Sequence, residues 1–188
     1  MNKHIIFGIS GSISAYKSID VIRLLRKSDI SITPIFSESA HKFVTQWTIE
    51  TLAESPLLKN DVINGQISHL DVCKNAQSFI ICPASANCIA KLAAGVADDI
   101  LTASFLSYTG PKILFPAMHT EMYENPITQK NLETLRDSGT IIIPPTIGDL
   151  ACGDTGTGRL PDVNLIADII KFSLVKPINL SGQSIVIT

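Results

Sequence analysis

The chain has 188 residues, of which 45% are hydrophobic and 17% charged, with a formal net charge of −2. That length accommodates one medium domain with a large core, and the near-neutral charge, with a pI near 6.0, argues against a nucleic-acid binder. No apolar run reaches the roughly 18 residues of a bilayer span, and residues 8–12 interrupt the first apolar stretch before a signal-peptide core is complete, so a cytoplasmic protein is expected.

Strand and helix signals alternate along the chain. Residues 4–7 form a short apolar run that halts at Gly8, and Ala15, Ile19, Ile22 and Leu25 then recur at helical spacing. Residues 30–36 alternate as a strand, after which Ser37 is placed to cap a helix containing His41 to Val44. Residues 78–82 are a continuous apolar strand ended by Pro83. A helix through Ile89, Leu92 and Ala93 follows, then another from Asp98 through Phe105. Residues 112–115 and 140–143 read as two further buried strands, with a helix over about 126–136 between them, and 162–172 reads as a closing helix. Buried strands without polar alternation, each followed by a helix, predict an α/β fold: a doubly wound parallel sheet in three layers. Residues 177–188 then open a new strand that no helix follows, so a domain over 1–176 and the beginning of a second one are expected.

In open α/β sheets ligands bind beyond the C-terminal ends of the strands. Gly8, Ser10, Gly11 and Ser12 follow the first strand and open a helix, where small residues and hydroxyls suit a phosphate. The spacing is neither G-x-G-x-x-G nor a P-loop, which favours a mononucleotide over a dinucleotide or nucleoside triphosphate; plain N-capping by serine is the alternative. Ser37, Ser85 and Asn87 place short hydrogen-bonding groups around the same crevice. His69 stands just before the third strand, where a surface histidine is the commoner reading. After the fourth strand, residues 116–126 combine two prolines, two methionines and polar groups, including Met118, His119, Met122 and Asn125, as a shaped pocket would.

Residues 148–161, GDLACGDTGTGRLP, carry four glycines together with Cys152 and Arg159. Glycine density and length read as a mobile lid that brings a thiol to a bound substrate; the alternative is a flexible loop with an idle cysteine. Cys82 and Cys88 sit in apolar surroundings as buried thiols, and neither a disulfide framework nor a metal site is indicated by the four cysteines.

Taken together these motifs resemble the homo-oligomeric flavin-containing cysteine decarboxylases, and among them the phosphopantothenoylcysteine decarboxylases of coenzyme A biosynthesis. SGSISAYK (10–17) is similar to the family's SGGIAAYK loop, ISHLDV holds its histidine at His69, and CPASANCIAKLAAGVADDILT (82–102) matches its flavin-binding stretch. PAMHTEMYENP resembles PAMNxxMWxNP, and ACGDTGTGRLP resembles the substrate clamp. The resemblance implies a Rossmann-like flavoprotein with FMN held by Gly8, Ser10, Gly11, Ser12, Ser37, Ser85, Ala86, Asn87, Cys88 and Thr102. It implies substrate contacts from Met118, His119, Met122, Asn125 and Arg159, with Arg159 at the substrate phosphate, and no metal. It also implies a trimer with flavin between subunits, four trimers forming a dodecamer in fused enzymes. LSGQSIVIT (180–188) resembles the start of a phosphopantothenate–cysteine ligase domain, so residues 177–188 are expected to be the linker and first strand of a truncated ligase. His119 departs from the family's usual asparagine, and only histidine can carry charge.

The implied chemistry has a physical rationale. Loss of CO₂ from a cysteine carboxylate leaves a carbanion with no electron sink. Oxidation of CH₂–SH to a thiocarbonyl provides one, decarboxylation then gives an enethiolate, and reduction yields 4′-phosphopantetheine. The resemblance assigns proton transfer in the oxidation to His69 and protonation during the reduction to Cys152. Three competing readings are peptidyl-cysteine decarboxylases, which lack the reductive clamp; flavin prenyltransferases, which lack PAM-x-x-x-M; and regulatory flavoproteins of the protein-phosphatase-inhibitor kind, which carry acidic tails or lose catalytic positions.

Overall fold

The computed structural model describes residues 3–58, 62–63, 66–149 and 153–175. In chain order these form β1 (Lys3–Ile9), a 3₁₀ turn (Ile13–Tyr16), α1 (Lys17–Arg26), β2 (Ile30–Phe36), a second 3₁₀ turn (Glu38–Lys42) and α2 (Gln46–Ala53). A two-residue pairing of β3 (Val62–Ile63) with β4 (Gln66–Ile67) leads into α3 (Ser68–Asn75), β5 (Ser78–Ala84), α4 (Ala86–Ala93) and α5 (Ile100–Ser107). The chain continues through β6 (Lys112–Pro116), α6 (Thr120–Glu124), α7 (Pro126–Asp137) and β7 (Ile141–Ile142). It then forms the hairpin β8 (Thr146–Asp149) with β9 (Thr155–Arg159), and α8 (Val163–Ser173).

Five strands, all parallel, form one sheet in the order β2-β1-β5-β6-β7. The order reverses between β1 and β5, and a crevice opens at such a switch point beyond the strand ends. Alternate side chains serve opposite faces. Ile5, Phe7 and Ile9 of β1, with Ile80, Cys82 and Phe115, pack under α1, α2 and α8. Ile6, Phe79, Ile81 and Leu114 pack under α4, α5 and α7. The doubly wound three-layer sheet expected from the apolar strands is the fold observed.

Helix boundaries follow local chemistry. Asp99 and Thr102 exchange side-chain and backbone hydrogen bonds in a capping box, which starts α5 two residues later than the periodicity suggested. Asn125 caps α7 with Pro126 at its first position, and Asp162 caps α8. One expectation fails: no α-helix spans His41 to Val44. Those residues belong to the 3₁₀ turn and its exit, Ser37 makes no capping bond, and the helix starts after Thr45, whose hydroxyl accepts from the Thr48 N–H. Residues 177–188, expected to open a second domain, lie outside the described residues. Among the described residues no helix is long and apolar enough to cross a membrane.

Candidate active site

Three loops converge at the C-terminal edge of β1, β2 and β5. Ser10 ties two of them together. It is fully buried; its hydroxyl donates to the Pro83 carbonyl at 2.8 Å and accepts from the Ser85 N–H at 2.8 Å. Its proton is therefore committed inside the protein, and Ser10 positions the loops instead of facing a ligand. Removing that hydroxyl would leave the part-buried Ser85 N–H without its acceptor, at a cost of roughly 1–3 kcal/mol, while Pro83 O keeps the Ser10 N–H. Gly11 packs against the loop after β2: a Cβ there would stand 2.3 Å from Ser39 Oγ, which in turn bonds Ser37 Oγ.

With Ser10 fixing the geometry, backbone donors gather. Among the described residues the N–H groups of Gly11, Ser12, Ile13, Ala86 and Asn87 have no hydrogen-bond acceptor. Each group precedes or opens a helical segment, an arrangement suited to an anion. The FMN implied by the resemblance fits this edge: a phosphate satisfies such donors, and small side chains at Gly11, Ser85 and Ala86 leave the backbone accessible.

Three residues expected at the cofactor have partners within the fold. Gly8 lies inside β1, where a Cβ would meet Leu101 at 2.5 Å, so close packing on α5 accounts for the glycine. The Thr102 hydroxyl belongs to the α5 capping box and is 2% exposed. Cys88 gives its N–H to Ser85 Oγ and its thiol to the core, where burial pushes the thiol pKa up to about 12. Burial likewise raises that of Cys82. Both were expected to be buried thiols, and both are.

Beside these loops opens a cleft of about 520 Å³ whose lining includes Ser12, Ser14, Lys17, Met118, His119 and Arg159. It brings together the 10–17 loop, the 116–126 segment and the glycine-rich segment, three of the stretches that stood out in the sequence. His119 caps α6; its Nε2 lies 3.4 Å from an Asp154 carboxylate oxygen and its Nδ1 3.6 Å from a Glu121 oxygen. Met122 and Asn125 do not line this cleft. Met122 is half exposed on α6, and Asn125 accepts the Ile127 N–H as the α7 cap.

The glycine-rich segment is not a structureless lid. Its flanks pair as β8 and β9, and β9 docks on the residues following β6. Met118 N–H donates to Gly158 O at 3.1 Å, and a Cβ at Gly158 would stand 2.0 Å from the Met118 carbonyl. One at Gly156 would meet the Thr120 hydroxyl at 2.2 Å. Gly156 and Gly158, read as a source of mobility, are there for close approach, whereas Gly153 takes a positive φ with open space around it. Gly158→Ala is accordingly expected to push the hairpin off its seat while leaving the sheet folded. Faster hydrogen exchange at the Met118 amide would report it, and unchanged protection would show that this contact does not hold the hairpin.

Cys152 lies outside the described residues. The backbone of His69 falls in the first turn of α3, while its side chain is outside what the structure describes. Sequence reasoning missed two residues. Ser39 was hidden because the loop after β2 was read only as far as Ser37, and Lys17 was quoted in a motif without a role.

A family model described as Flavoprotein matches residues 1–174. A "Coenzyme A biosynthesis bifunctional protein CoaBC" of Haemophilus influenzae is 38% identical over 189 residues, covering 99% of this chain and 47% of that protein. The chain thus spans about half the length of the bifunctional relatives it matches. A "Probable phosphopantothenoylcysteine decarboxylase" of Streptococcus mutans is 39% identical, covering 93% of this chain and all of that protein. Among solved structures, a cysteine-to-serine variant of a PPC decarboxylase complexed with pantothenoylaminoethenethiol superposes with a TM-score of 0.84. It is 25% identical and covers 92% of this chain and 98% of that one. The FMN-dependent cysteine decarboxylase SpaF superposes at 0.79 with 28% identity, covering the same shares.

Proposed function

The chain belongs to the flavoprotein family, and from that premise we propose that it is an FMN-dependent phosphopantothenoylcysteine decarboxylase of coenzyme A biosynthesis. The observation that carries this reading is the cleft itself, where Met118, His119, Gly158 and Arg159 meet the 12–17 loop beside a row of free backbone donors. The full-length match to the Streptococcus mutans protein supports the same assignment.

FMN would be held by the N–H groups of Gly11, Ser12, Ile13, Ala86 and Asn87, and when bound it supplies the two-electron exchange that makes the carboxylate a leaving group. The chain's own residues do the rest. His119, at the cap of α6, donates a hydrogen bond to the substrate carboxylate or amide, and Met118 forms an apolar wall beside it. His69 moves the proton that accompanies thiol oxidation. Its helix supports that role: α3 leads into the start of β5, so its own first turn lies toward the C-terminal edge where the strands end. The docking of β8–β9 beside His119 supports closure over the substrate, excluding water, with Cys152 delivering a proton to the enethiolate carbon. Arg159 holds the substrate phosphate.

Residues 13, 43, 47 and 122 are exposed apolar side chains on segments that follow β1, β2 and β6. They support an oligomer, trimeric and in turn dodecameric, that covers this edge. The coverage of the bifunctional relatives supports a parent protein in which a phosphopantothenate–cysteine ligase is fused behind this unit. The absence of an apolar spanning helix among the described residues is compatible with a cytoplasmic enzyme.

The purified protein is expected to be yellow with an FMN absorbance. Mass spectrometry after incubation with 4′-phosphopantothenoylcysteine is expected to show loss of CO₂ and appearance of 4′-phosphopantetheine. Absence of CO₂ loss from flavin-loaded protein would overturn the assignment.

A further inference from the structure

Lys17 and Arg159 are the lysine and the arginine on the lining of the cleft. Arg23, Arg26, Lys91 and Lys171 each have a carboxylate within ion-pair distance. Lys17 and Arg159 have none among the described residues, yet both face the 520 Å³ cleft and the smaller one of about 340 Å³ beside it. They lie near enough to repel. The Lys17 ammonium is held below its ordinary pKa first by burial and then by Arg159, with Asp162 and Cys82 opposing. Two like charges kept together in a partly dry cleft are unfavourable unless a third, opposite charge joins them.

The surroundings prepare such a place. Arg159 lies across the hairpin over Gly148, whose added Cβ would stand 3.1 Å from Nη1 and 3.2 Å from Cδ; a larger residue there would lift the guanidinium. Lys17 opens α1 directly after the 3₁₀ turn, and Ser14 lines the same cleft, beside Ser12, whose hydroxyl donates to Ala117 O. Asp149, the carboxylate on the lining of the larger cleft, already accepts from the Thr155 hydroxyl, and Asp162, on the smaller one, already accepts from the Asn164 N–H and side-chain amide as the α8 cap. His119, the other cationic candidate in the cleft, already faces Asp154 and Glu121. A carboxylate needs one cation; two adjacent, unpaired cations with hydroxyls nearby match a dianion.

We propose that Lys17 and Arg159 form a phosphomonoester site that makes this chain select a phosphorylated thiol acid over its unphosphorylated counterpart. The inference rests on the decarboxylase reading for the identity of the substrate. It adds Lys17 as a specificity-determining residue and assigns its partner on the hairpin. Because Arg159 belongs to β9 and Lys17 to α1, a bound phosphate also joins the hairpin to the sheet domain, so ligand binding fastens the clamp.

The test uses flavin-loaded protein and two measurements. Calorimetric titration with 4′-phosphopantothenate and with pantothenate compares the same ligand with and without its phosphate. The phosphorylated form is expected to bind at least about 10-fold more tightly, and Lys17→Met or Arg159→Met is expected to reduce that preference by about 10- to 100-fold, with Lys17→Arg restoring part of it. In turnover, the ratio of kcat/KM for 4′-phosphopantothenoylcysteine to that for pantothenoylcysteine is expected to fall in the same two variants, mainly through KM. Equal binding of the two ligands by the native chain overturns the proposal, as does a Lys17→Met variant that retains the full preference. Loss of FMN from Lys17→Met also overturns it, assigning the pair to the cofactor phosphate. If the phosphorylated ligand binds selectively but no CO₂ is released, the phosphate site stands and the decarboxylase reading fails.

Discussion

His69→Asn is expected to leave the protein yellow and folded while CO₂ release falls by about 10²- to 10⁴-fold, the range that a positioned proton-transfer group contributes. Asparagine keeps much of the size and hydrogen-bonding capacity of histidine but cannot exchange a proton near neutral pH. The donors that suit FMN, at Gly11 to Ile13 and at Ala86 and Asn87, are on other segments, so flavin content measured by absorbance should not change. The comparison of turnover with flavin content separates proton transfer from cofactor loss. A variant that decarboxylates at the native rate removes His69 from the mechanism.

Cys152→Ser is expected to change the product and not the first half of the reaction. The variant should release CO₂ yet accumulate the enethiol, which carries two hydrogens fewer than 4′-phosphopantetheine. A serine hydroxyl is a far weaker acid than a thiol and is a poor source for the last proton. Mass spectrometry of the products gives the answer directly: the unsaturated species should dominate, and a normal yield of the saturated thiol would end the proton-donor proposal. Together the two variants are expected to divide the proposed reaction, with His69 acting before CO₂ leaves and Cys152 after it.

Much of the fold was legible because it rests on long, uninterrupted apolar signals. Ile5 to Phe7, Phe79 to Cys82 and Ile113 to Phe115 cover both faces of a buried sheet, which only parallel strands with helices on either side provide. What was not legible depended on partners distant in sequence. Gly8 and Gly158 look alike as letters near a ligand loop; one is small because Leu101 packs against it, the other because the Met118 carbonyl does. Ser10 and Thr102 resemble ligand hydroxyls until their acceptors are known, Pro83 O in one case and Asp99 in the other. The hairpin was missed because β8 and β9 are rich in Gly and Thr and carry little apolar alternation; pairing and docking hold them. Lys17 was overlooked for a related reason: its significance comes from Arg159, more than a hundred positions away in the chain.

The bond that Ser10 makes to Pro83 and Ser85 has a consequence for the life of the polypeptide before it meets any cofactor. Two loops from different strands are locked together by folding itself, so their conformational entropy is already lost when the prosthetic group arrives. In the proposed flavoenzyme this tie would leave less loop ordering for cofactor capture to supply.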